Sequence, residues 1–424
     1  MLMFLVFLVL MAIGVPIFAS MVISSAVYVI QSGNFSLVVM GAQRMFAAVN
    51  SFTLLAIPFF IFAGLVMNMS GVSRRIFDFA GSLVGHLTGG LGHVNILASM
   101  LFAGMSGSAV ADAAGLGAIE MKAMHDAGFD DDFSGAVTAA SSTIGPVIPP
   151  SIPMVLFSGL TSVSAGRLFL GGFIPGVLMG LAMMVVVYLV AKKRHYPVSP
   201  KMTAKQIGRA FLMAIPPLLM PIIILGGILS GFFTPTEAAA VACLYALILG
   251  IFVYRELDHK ALMLLLKEAM RNTAQVMAII AAAGFFGWLV TFQGVPAKII
   301  ALICSATESK IVVLLLIDLV ILILGCFLEG NAILILTVPI MVPIANQFNI
   351  DMVHLGVIMC LADMMGTITP PVGMCLYPVC TLGNLKMQNL IKELVPFFLI
   401  LCVVLLIVTL CEPLATFLPR VLMG

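Results

Sequence analysis

The chain has 424 residues, of which 62% are hydrophobic and only 9% are charged, and its formal net charge is +2. Soluble domains carry about 25% charged residues, so this composition excludes a soluble globular protein. The small net charge also argues against a nucleic-acid surface. We therefore expect a protein that is solvated by the lipid bilayer.

Apolar segments with few charges follow one another along the whole chain and predict membrane-spanning helices. In chain order, these spans lie near residues 3–30, 52–69, 133–160, 168–191, 211–230, 237–254, 273–291, 351–382 and 390–418. Because the apolar sequence starts at Met1 without a basic region, we expect an uncleaved first span rather than a signal peptide. The pattern predicts an all-α polytopic membrane protein.

Two further apolar segments, near 93–119 and 311–345, have polar and glycine-rich centres. We interpret each as a re-entrant hairpin, in which two half-helices meet at a tip. Residues 72–85 and 256–271 place apolar side chains on one helical face and basic side chains elsewhere, which predicts helices in the membrane interface. The connection 192–209 has basic but no acidic residues, and the positive-inside rule places it in the cytoplasm.

The chain contains two copies of one pattern at an offset of 221 to 223 residues, and the clearest match joins Gly145–Pro150 to Gly366–Pro371. We predict a first repeat at 1–191, a basic loop with a connecting span at 192–235, and a second repeat at 236–424. Because the connecting span is a single extra crossing, the second copy enters the membrane from the opposite face. Such inverted repeats are a common plan of secondary transporters.

Proline and glycine interrupt the helical hydrogen-bond ladder at matching points of the two repeats. Carbonyl groups freed at Gly145–Pro150 and Gly366–Pro371 need protein, water or a bound ion as partners, because lipid offers none. The tips Ser106–Ser108 and Glu329–Asn331 supply more oxygen atoms, which are the ligands that sodium prefers. We predict one sodium pocket in each repeat, beside an anionic substrate that the half-helix N-termini attract.

Four carboxylates lie in or beside apolar segments, where such groups are costly and usually functional: Asp112, Asp318, Glu329 and Asp363. A structural role is the alternative for each, most of all for Asp318.

An enzyme is the first alternative function, because Gly104–Gly107 fits the G-x-S-G pattern of intramembrane serine proteases. That chemistry needs a histidine to activate Ser106, and no predicted span has one at mid-depth. ATP-driven transport lacks its phosphate-binding loop. A passive channel is compatible with the composition, but the paired breaks favour alternating access. We therefore expect a transporter and not an enzyme.

Five segments resemble the large membrane subunit of tripartite ATP-independent periplasmic (TRAP) transporters: Leu55–Gly64, Ser99–Asp112, Ala139–Pro153, Phe233–Val241 and Thr369–Gly373. The resemblance covers nearly the whole chain and implies an elevator-type, sodium-coupled importer of organic anions in the bacterial inner membrane. It also implies two partners. One is a soluble extracytoplasmic substrate-binding protein, and the other is a small membrane subunit of about four helices, which we expect to be a separate chain.

The same resemblance assigns site residues. One sodium pocket would comprise Ser106, Ser108, Gly145, Ile148 and Pro149, and the second Gly325, Gly330, Gly366 and Thr369. Substrate contacts are expected at Ser108, Asp112, Ser142, Ser151, Glu329 and Asn331. Relatives often have Asp-Gly-Thr in place of Glu329–Asn331 and an Asn near Ala362, and these departures leave the second sodium pocket and the substrate contacts open. The two pockets are expected to differ chemically, because the first tip reads Ser-Gly-Ser where the second reads Glu-Gly-Asn.

The sequence leaves the substrate open among C4-dicarboxylates, sialic acid and other sugar acids. It also leaves a second transport function open, a related anion and sodium symporter that needs no binding protein.

Overall fold

The computed structural model describes residues 2–424, and every regular element in this part of the chain is a helix. The helices of the first half are α1 Leu2–Ala12, α2 Ile17–Ser32, α3 Ser36–Val49, α4 Ala56–Met69, α5 Val72–Val84, α6 Gly90–Ser106, α7 Ala109–Ala114, α8 Leu116–Asp126, α9 Asp131–Ser142, α10 Ile152–Thr161 and α11 Ala165–Arg194. The connecting helix and the second half comprise α12 Ala204–Leu229, α13 Pro235–Ile248, α14 His259–Phe292, α15 Val295–Ala306, α16 Lys310–Gly325, α17 Gly330–Gln347, α18 Met352–Gly366, α19 Leu376–Gly383, α20 Met387–Leu410 and α21 Pro413–Met423.

Six helices of the described residues are long and apolar enough to cross a membrane. The number becomes seven if Ser36–Val49 and Thr53–Met69, which meet at a bend, count as a single span. The number is lower than the number of predicted spans because several of those spans are divided into shorter helices. The composition and the helices together define a polytopic membrane protein.

The predicted spans at the two ends of the chain are each divided. The span 3–30 is α1 and α2, which pack against each other and are separated by Gly14, with φ of 83°, and by Pro16. The span 390–418 ends at Leu410, and Pro413 starts α21, which packs on α11. Glu412 fixes this corner, because its carboxylate pairs with Lys310 at 2.9 Å and with Arg420 at 2.8 Å.

Two helices differ from the sequence prediction for local reasons. The proposed interfacial helix 256–271 and the span 273–291 form one continuous helix, α14, since no glycine or proline separates them. Helix α3 was not predicted, because polar residues such as Gln43 and Arg44 interrupt its apolar pattern. The segment 53–69, which contains α4, bends by 59° from α3. The other amphipathic segment is the helix α5, which packs against α6 and α12.

Helices separated by short turns occupy the two segments predicted as hairpins, and a non-helical segment interrupts each of the two spans predicted as broken. The arms of the first hairpin are α6 and α7–α8, and those of the second are α16 and α17. Non-helical segments separate α9 from α10 and α18 from α19, and each contains a cis X-Pro bond, at Pro149–Pro150 and at Pro370–Pro371.

Helices of the two halves pack against each other around these breaks. Helix α10 of the first broken helix packs on α17 of the second hairpin, and α9 packs on α20. Within the second half, α16 packs along α18. This arrangement brings the hairpin tips and the breaks of both halves together.

Candidate functional site

The tips of both hairpins and both helix breaks line one cleft, which we call the central cleft. The first half contributes Ser108 and Pro146, and the second half contributes Glu329, Asn331 and Thr367. The cleft has a volume of about 60 Å³. Helices α10 and α17 begin at its wall, and their N-terminal dipoles favour an anion there.

The first hairpin tip is held against the first break by close backbone contact. Gly107 has φ of 61°, in the left-handed region, and a Cβ at this position would lie 2.9 Å from the Pro150 carbonyl oxygen. Only glycine meets both requirements at low cost. The turn lets α6 end at Ser106 and places Ser108 in the central cleft.

Beside this tip lies the first pocket, which consists of Ser106, Gly145, Ile148, Pro149 and Asp112. No hydrogen bond within residues 2–424 ends on the carbonyl oxygens of Gly145, Ile148 or Pro149. The Asp112 carboxylate adjoins Ser106 and lies directly against Gly145. Asp112 is only 2% exposed, and neither of its carboxylate oxygens has a hydrogen-bond partner within residues 2–424. Free carbonyls beside a buried, unpaired carboxylate fit a monovalent cation.

The second pocket consists of Gly325, Gly330, Gly366, Thr369 and Asp363. Here two backbones touch, since a Cβ on Gly325 would lie 2.5 Å from the Gly366 Cα. The carbonyl oxygens of Gly325 and Thr369 accept no hydrogen bond from residues 2–424. Asp363 is fully buried and lies against Gly330 at the start of α17, and neither of its carboxylate oxygens is paired with another of the described residues. This pocket also fits a cation that takes oxygen ligands.

The second tip is joined to the second break by a main-chain hydrogen bond from the Val372 N–H to the Cys326 carbonyl at 3.1 Å. Sequence reasoning predicted the glycines and Thr369 for this pocket. It also named Asp363 as a carboxylate within an apolar segment and left open whether Asp363 alters the second sodium pocket.

The expected substrate contacts divide into two groups. Ser108, Glu329 and Asn331 line the central cleft, whereas Asp112, Ser142 and Ser151 lie buried outside it. The Ser142 hydroxyl donates to the Ala139 carbonyl at 2.8 Å. Ser151 caps α10 by accepting from the Met154 N–H at 3.2 Å and also donates to the Pro146 carbonyl. The hydroxyl groups of Ser142 and Ser151 are therefore already engaged in hydrogen bonds with the backbone. The carboxylate of Asp112 belongs to the first pocket.

Several cleft residues were missed by sequence reasoning. Pro146, Met364, Thr367 and Met374 line the cleft because they lie in or next to the two breaks. The break motifs indicated this region of the chain. They did not indicate which side chains face the cleft, because a non-helical segment has no periodicity from which the direction of a side chain can be predicted. Asp318 lies elsewhere, where it accepts a hydrogen bond from Thr409 at 2.6 Å.

The helical hairpins, broken helices and apolar spans define the fold of a membrane transporter, and solved structures share this fold. The YdaH transporter of Alcanivorax borkumensis aligns with a TM-score of 0.66 at 16% identity, covering 90% of this chain and 88% of its own. MtrF of Neisseria gonorrhoeae aligns with a TM-score of 0.64 at 13% identity, covering 90% of this chain and 85% of its own. At such low identity the likeness establishes the fold alone.

Residues 4–414 match the family described as the tripartite ATP-independent periplasmic transporter, DctM component. The chain belongs to this family and is a large permease subunit of a TRAP transporter.

Three similar relatives are named as TRAP transporter permeases. The sialic acid TRAP transporter large permease protein SiaM of Vibrio cholerae is 44% identical over 411 residues, which cover 97% of this chain and 96% of that protein. The sialic acid TRAP transporter permease protein SiaT of Haemophilus influenzae is 44% identical over 99% of this chain and 68% of its own length. The C4-dicarboxylate TRAP transporter large permease protein DctM of Pseudomonas aeruginosa is 39% identical over 89% of each chain.

Proposed function

We propose that this permease subunit imports a small organic anion together with sodium ions across the bacterial inner membrane. The observation that supports this most is the central cleft, because the tips and breaks of both halves line it and a pocket with a buried carboxylate, unpaired within residues 2–424, lies behind each tip. The named relatives act on sialic acid or C4-dicarboxylates, which are carboxylates.

Sodium is the ion that the two pockets are suited to bind. A buried carboxylate without a partner is unfavourable by several kcal/mol, so Asp112 and Asp363 each favour a bound cation. Free carbonyl oxygens of the breaks complete a hard, oxygen-only site. Loading both pockets would neutralise the buried charge and order the tips that close the cleft. Substrate binding and sodium binding would then be linked through shared backbone.

Transport would follow an elevator mechanism, in which the hairpins and broken helices move as a unit against the remaining spans. Family membership supports two partners, a soluble substrate-binding protein that delivers the solute outside and a small membrane subunit. That this chain works with both partners is part of the proposal.

Reconstituted transport tests this function. Proteoliposomes that contain the chain and its small membrane subunit receive an inward sodium gradient and the loaded binding protein. We expect accumulation of solute above its outside concentration, and potassium in place of sodium should abolish it. Solute that only equilibrates would identify a channel. Uptake that proceeds equally well without the soluble protein would identify an anion and sodium symporter that works alone.

A further inference from the structure

The first half of helix α14 carries an exposed groove that shares no residue with the central cleft or with either pocket. Three successive turns of the helix line it, through Leu264, Lys267, Glu268, Arg271, Asn272 and Gln275. The groove has a volume of about 470 Å³, which is more than a phosphodiester group occupies. Lys267 and Arg271 are both exposed, and neither forms an ion pair within residues 2–424. Two cations therefore line this groove without an anionic partner.

The length of α14 places the groove at the level of the lipid head groups. The helix has 34 residues and is about 51 Å long at 1.5 Å per residue, whereas the hydrocarbon core of a bilayer is about 30 Å thick. After Arg271 the helix contains no charged side chain, so residues 272–292 form the part that crosses the core. Arg271 then marks the border between the core and the head groups. The positive-inside rule places this border in the cytoplasmic leaflet.

The order of side chains along the groove matches the order of groups in a phospholipid. Lys267 and Arg271 lie one helical turn apart on the same face, and Arg binds phosphate through two parallel N–H groups. Asn272 and Gln275 lie up to about 6 Å deeper than Arg271, and their amides are donors for ester carbonyls. Beyond Gln275 the helix is apolar except for Thr291, as contact with acyl chains requires. A soluble anion would match only the first of these three levels.

We propose that this groove binds one anionic phospholipid of the cytoplasmic leaflet, with the lipid phosphate between Lys267 and Arg271. Two cations and the carboxylate of Glu268 give the groove a net charge of +1. An anionic head group is therefore favoured over a zwitterionic one, and Glu268 limits the affinity. The bound lipid fixes the start of α14 at the membrane surface. This inference goes beyond the proposed function, because it does not depend on the transported solute.

Native mass spectrometry of the full chain in detergent tests this inference. The probes are phosphatidylglycerol, which is anionic, and phosphatidylcholine with the same acyl chains, which is zwitterionic. A cation at an anionic lipid surface contributes about fivefold in affinity, so we expect one phosphatidylglycerol to bind about fivefold or more tightly than phosphatidylcholine. Equal affinity for the two lipids would overturn the proposal.

The double variant Lys267→Gln with Arg271→Gln removes both cations and keeps good helix formers at both positions. Its affinity for phosphatidylglycerol should fall about twenty-five-fold, which is about fivefold for each cation. Lys192→Gln with Lys193→Gln is the matched control, because it removes the same charge from exposed side chains at the end of α11. The control should keep the wild-type affinity. An equal loss in the control would show diffuse attraction to a basic surface and no specific groove.

Glu268→Gln gives a test with the opposite sign. It removes the carboxylate that repels the lipid phosphate, so the affinity for phosphatidylglycerol should rise by about fivefold. If the double variant does not fold, the single variant Arg271→Gln should lower that affinity by about fivefold. Unchanged affinity in both Glu268→Gln and Arg271→Gln would refute the assignment of the groove.

Two other occupants of the groove would give different results. If inorganic phosphate alone raises the unfolding midpoint of the wild type but not that of the double variant, the groove binds a soluble anion. If the small membrane subunit displaces phosphatidylglycerol when the complex forms, the groove is part of the interface between the subunits. Either result would overturn the assignment to a lipid. Phosphatidylglycerol that stays bound to the assembled complex would support it.

Discussion

The two pockets proposed to bind cations differ in how each obtains its negative charge. In the first pocket the carboxylate comes from the hairpin, at Asp112. The tips Ser106–Ser108 and Glu329–Asn331 are 223 residues apart, and at that offset the counterpart of Asp112 in the second repeat is Ile335. In the second pocket it comes from the broken helix, at Asp363, whose counterpart at the 221-residue offset is Ser142. Both carboxylates are buried and unpaired. What the halves share is therefore a charge in each pocket rather than a residue at each position.

The largest expected effect comes from removing these charges one at a time. Asp112→Asn and Asp363→Asn should each raise the sodium concentration for half-maximal uptake by about a hundredfold. A charge within about 6 Å of the ion contributes about 3 kcal/mol at an effective dielectric constant near 20. Sodium titration of uptake in proteoliposomes measures the change.

The buried Asp318→Asn is the matched control, because Asp318 pairs with Thr409 away from both pockets. Its sodium dependence should equal that of the wild type. If one pocket variant retains normal sodium activation, its carboxylate has a structural role and the two pockets are not functional equivalents.

The pockets also differ in what lies against their central glycines. A Cβ at Gly366 would collide with the Gly325 backbone, whereas a Cβ at Gly145 would meet the end of the Asp112 side chain. A backbone cannot move aside as a side chain can, so Gly366→Ala should lower the unfolding free energy by about 1–3 kcal/mol and Gly145→Ala by less. Thermal unfolding in nanodiscs compares them.

The double variant Gly145→Ala with Asp112→Ala sharpens this comparison. Removing the Asp112 carboxylate makes room for the new methyl group, so the double variant should unfold at a higher temperature than Gly145→Ala alone. Equal destabilisation by Gly145→Ala and Gly366→Ala would show that the first pocket is as rigid as the second.

The break motifs made the two helix breaks predictable from the sequence, because proline and glycine act on the backbone locally. The polar, glycine-rich centres of two apolar segments indicated the hairpins, and helical periodicity indicated the amphipathic α5. Distant contacts were not predictable, such as the position of Asp363 against Gly330, which depends on how α18 packs beside α17. Helix ends were also missed where charge and packing decide them, as at Glu412, whose ion pairs with Lys310 and Arg420 hold the corner between α20 and α21.

A smaller effect on sodium affinity is expected from removing the hydroxyl group of each pocket. The Ser106 oxygen accepts only a long hydrogen bond of 3.4 Å from the Ser108 N–H, and the Thr369 hydroxyl donates to the Met365 carbonyl at 2.7 Å. Each oxygen keeps a lone pair for a cation. Ser106→Ala and Thr369→Ala should therefore raise the half-saturating sodium concentration by about tenfold, the loss of one neutral ligand.

Sodium activation of uptake again provides the measurement, with the exposed Thr381→Ala as the control. Unchanged sodium dependence in both pocket variants would contradict the assignment of these two residues. A change in only one would mean that the pockets bind the ion with different ligand sets.

The smallest expected effect concerns a contact that joins the halves rather than either pocket. Arg194 at the end of α11 donates to both Glu393 carboxylate oxygens at 2.8 Å and to Asp130 at 3.1 Å. Tyr196 donates to the same Asp130, and burial together with this bond raises the pKa of Tyr196 to about 12. The phenol therefore stays a donor at neutral pH, and the cluster ties the start of α9 to α20.

Arg194→Lys keeps the charge but loses the fork whose Nη2 binds Glu393 and whose Nη1 binds Asp130. Because the cluster is partly exposed, solvent screening limits the expected loss of unfolding free energy to about 1 kcal/mol or less, measured by thermal unfolding at low salt. High salt should narrow the difference from the wild type. Sodium affinity should not change, since the cluster lies outside both pockets. A loss of sodium affinity in this variant would mean that the contact between the halves, and not each pocket by itself, sets the strength of ion binding.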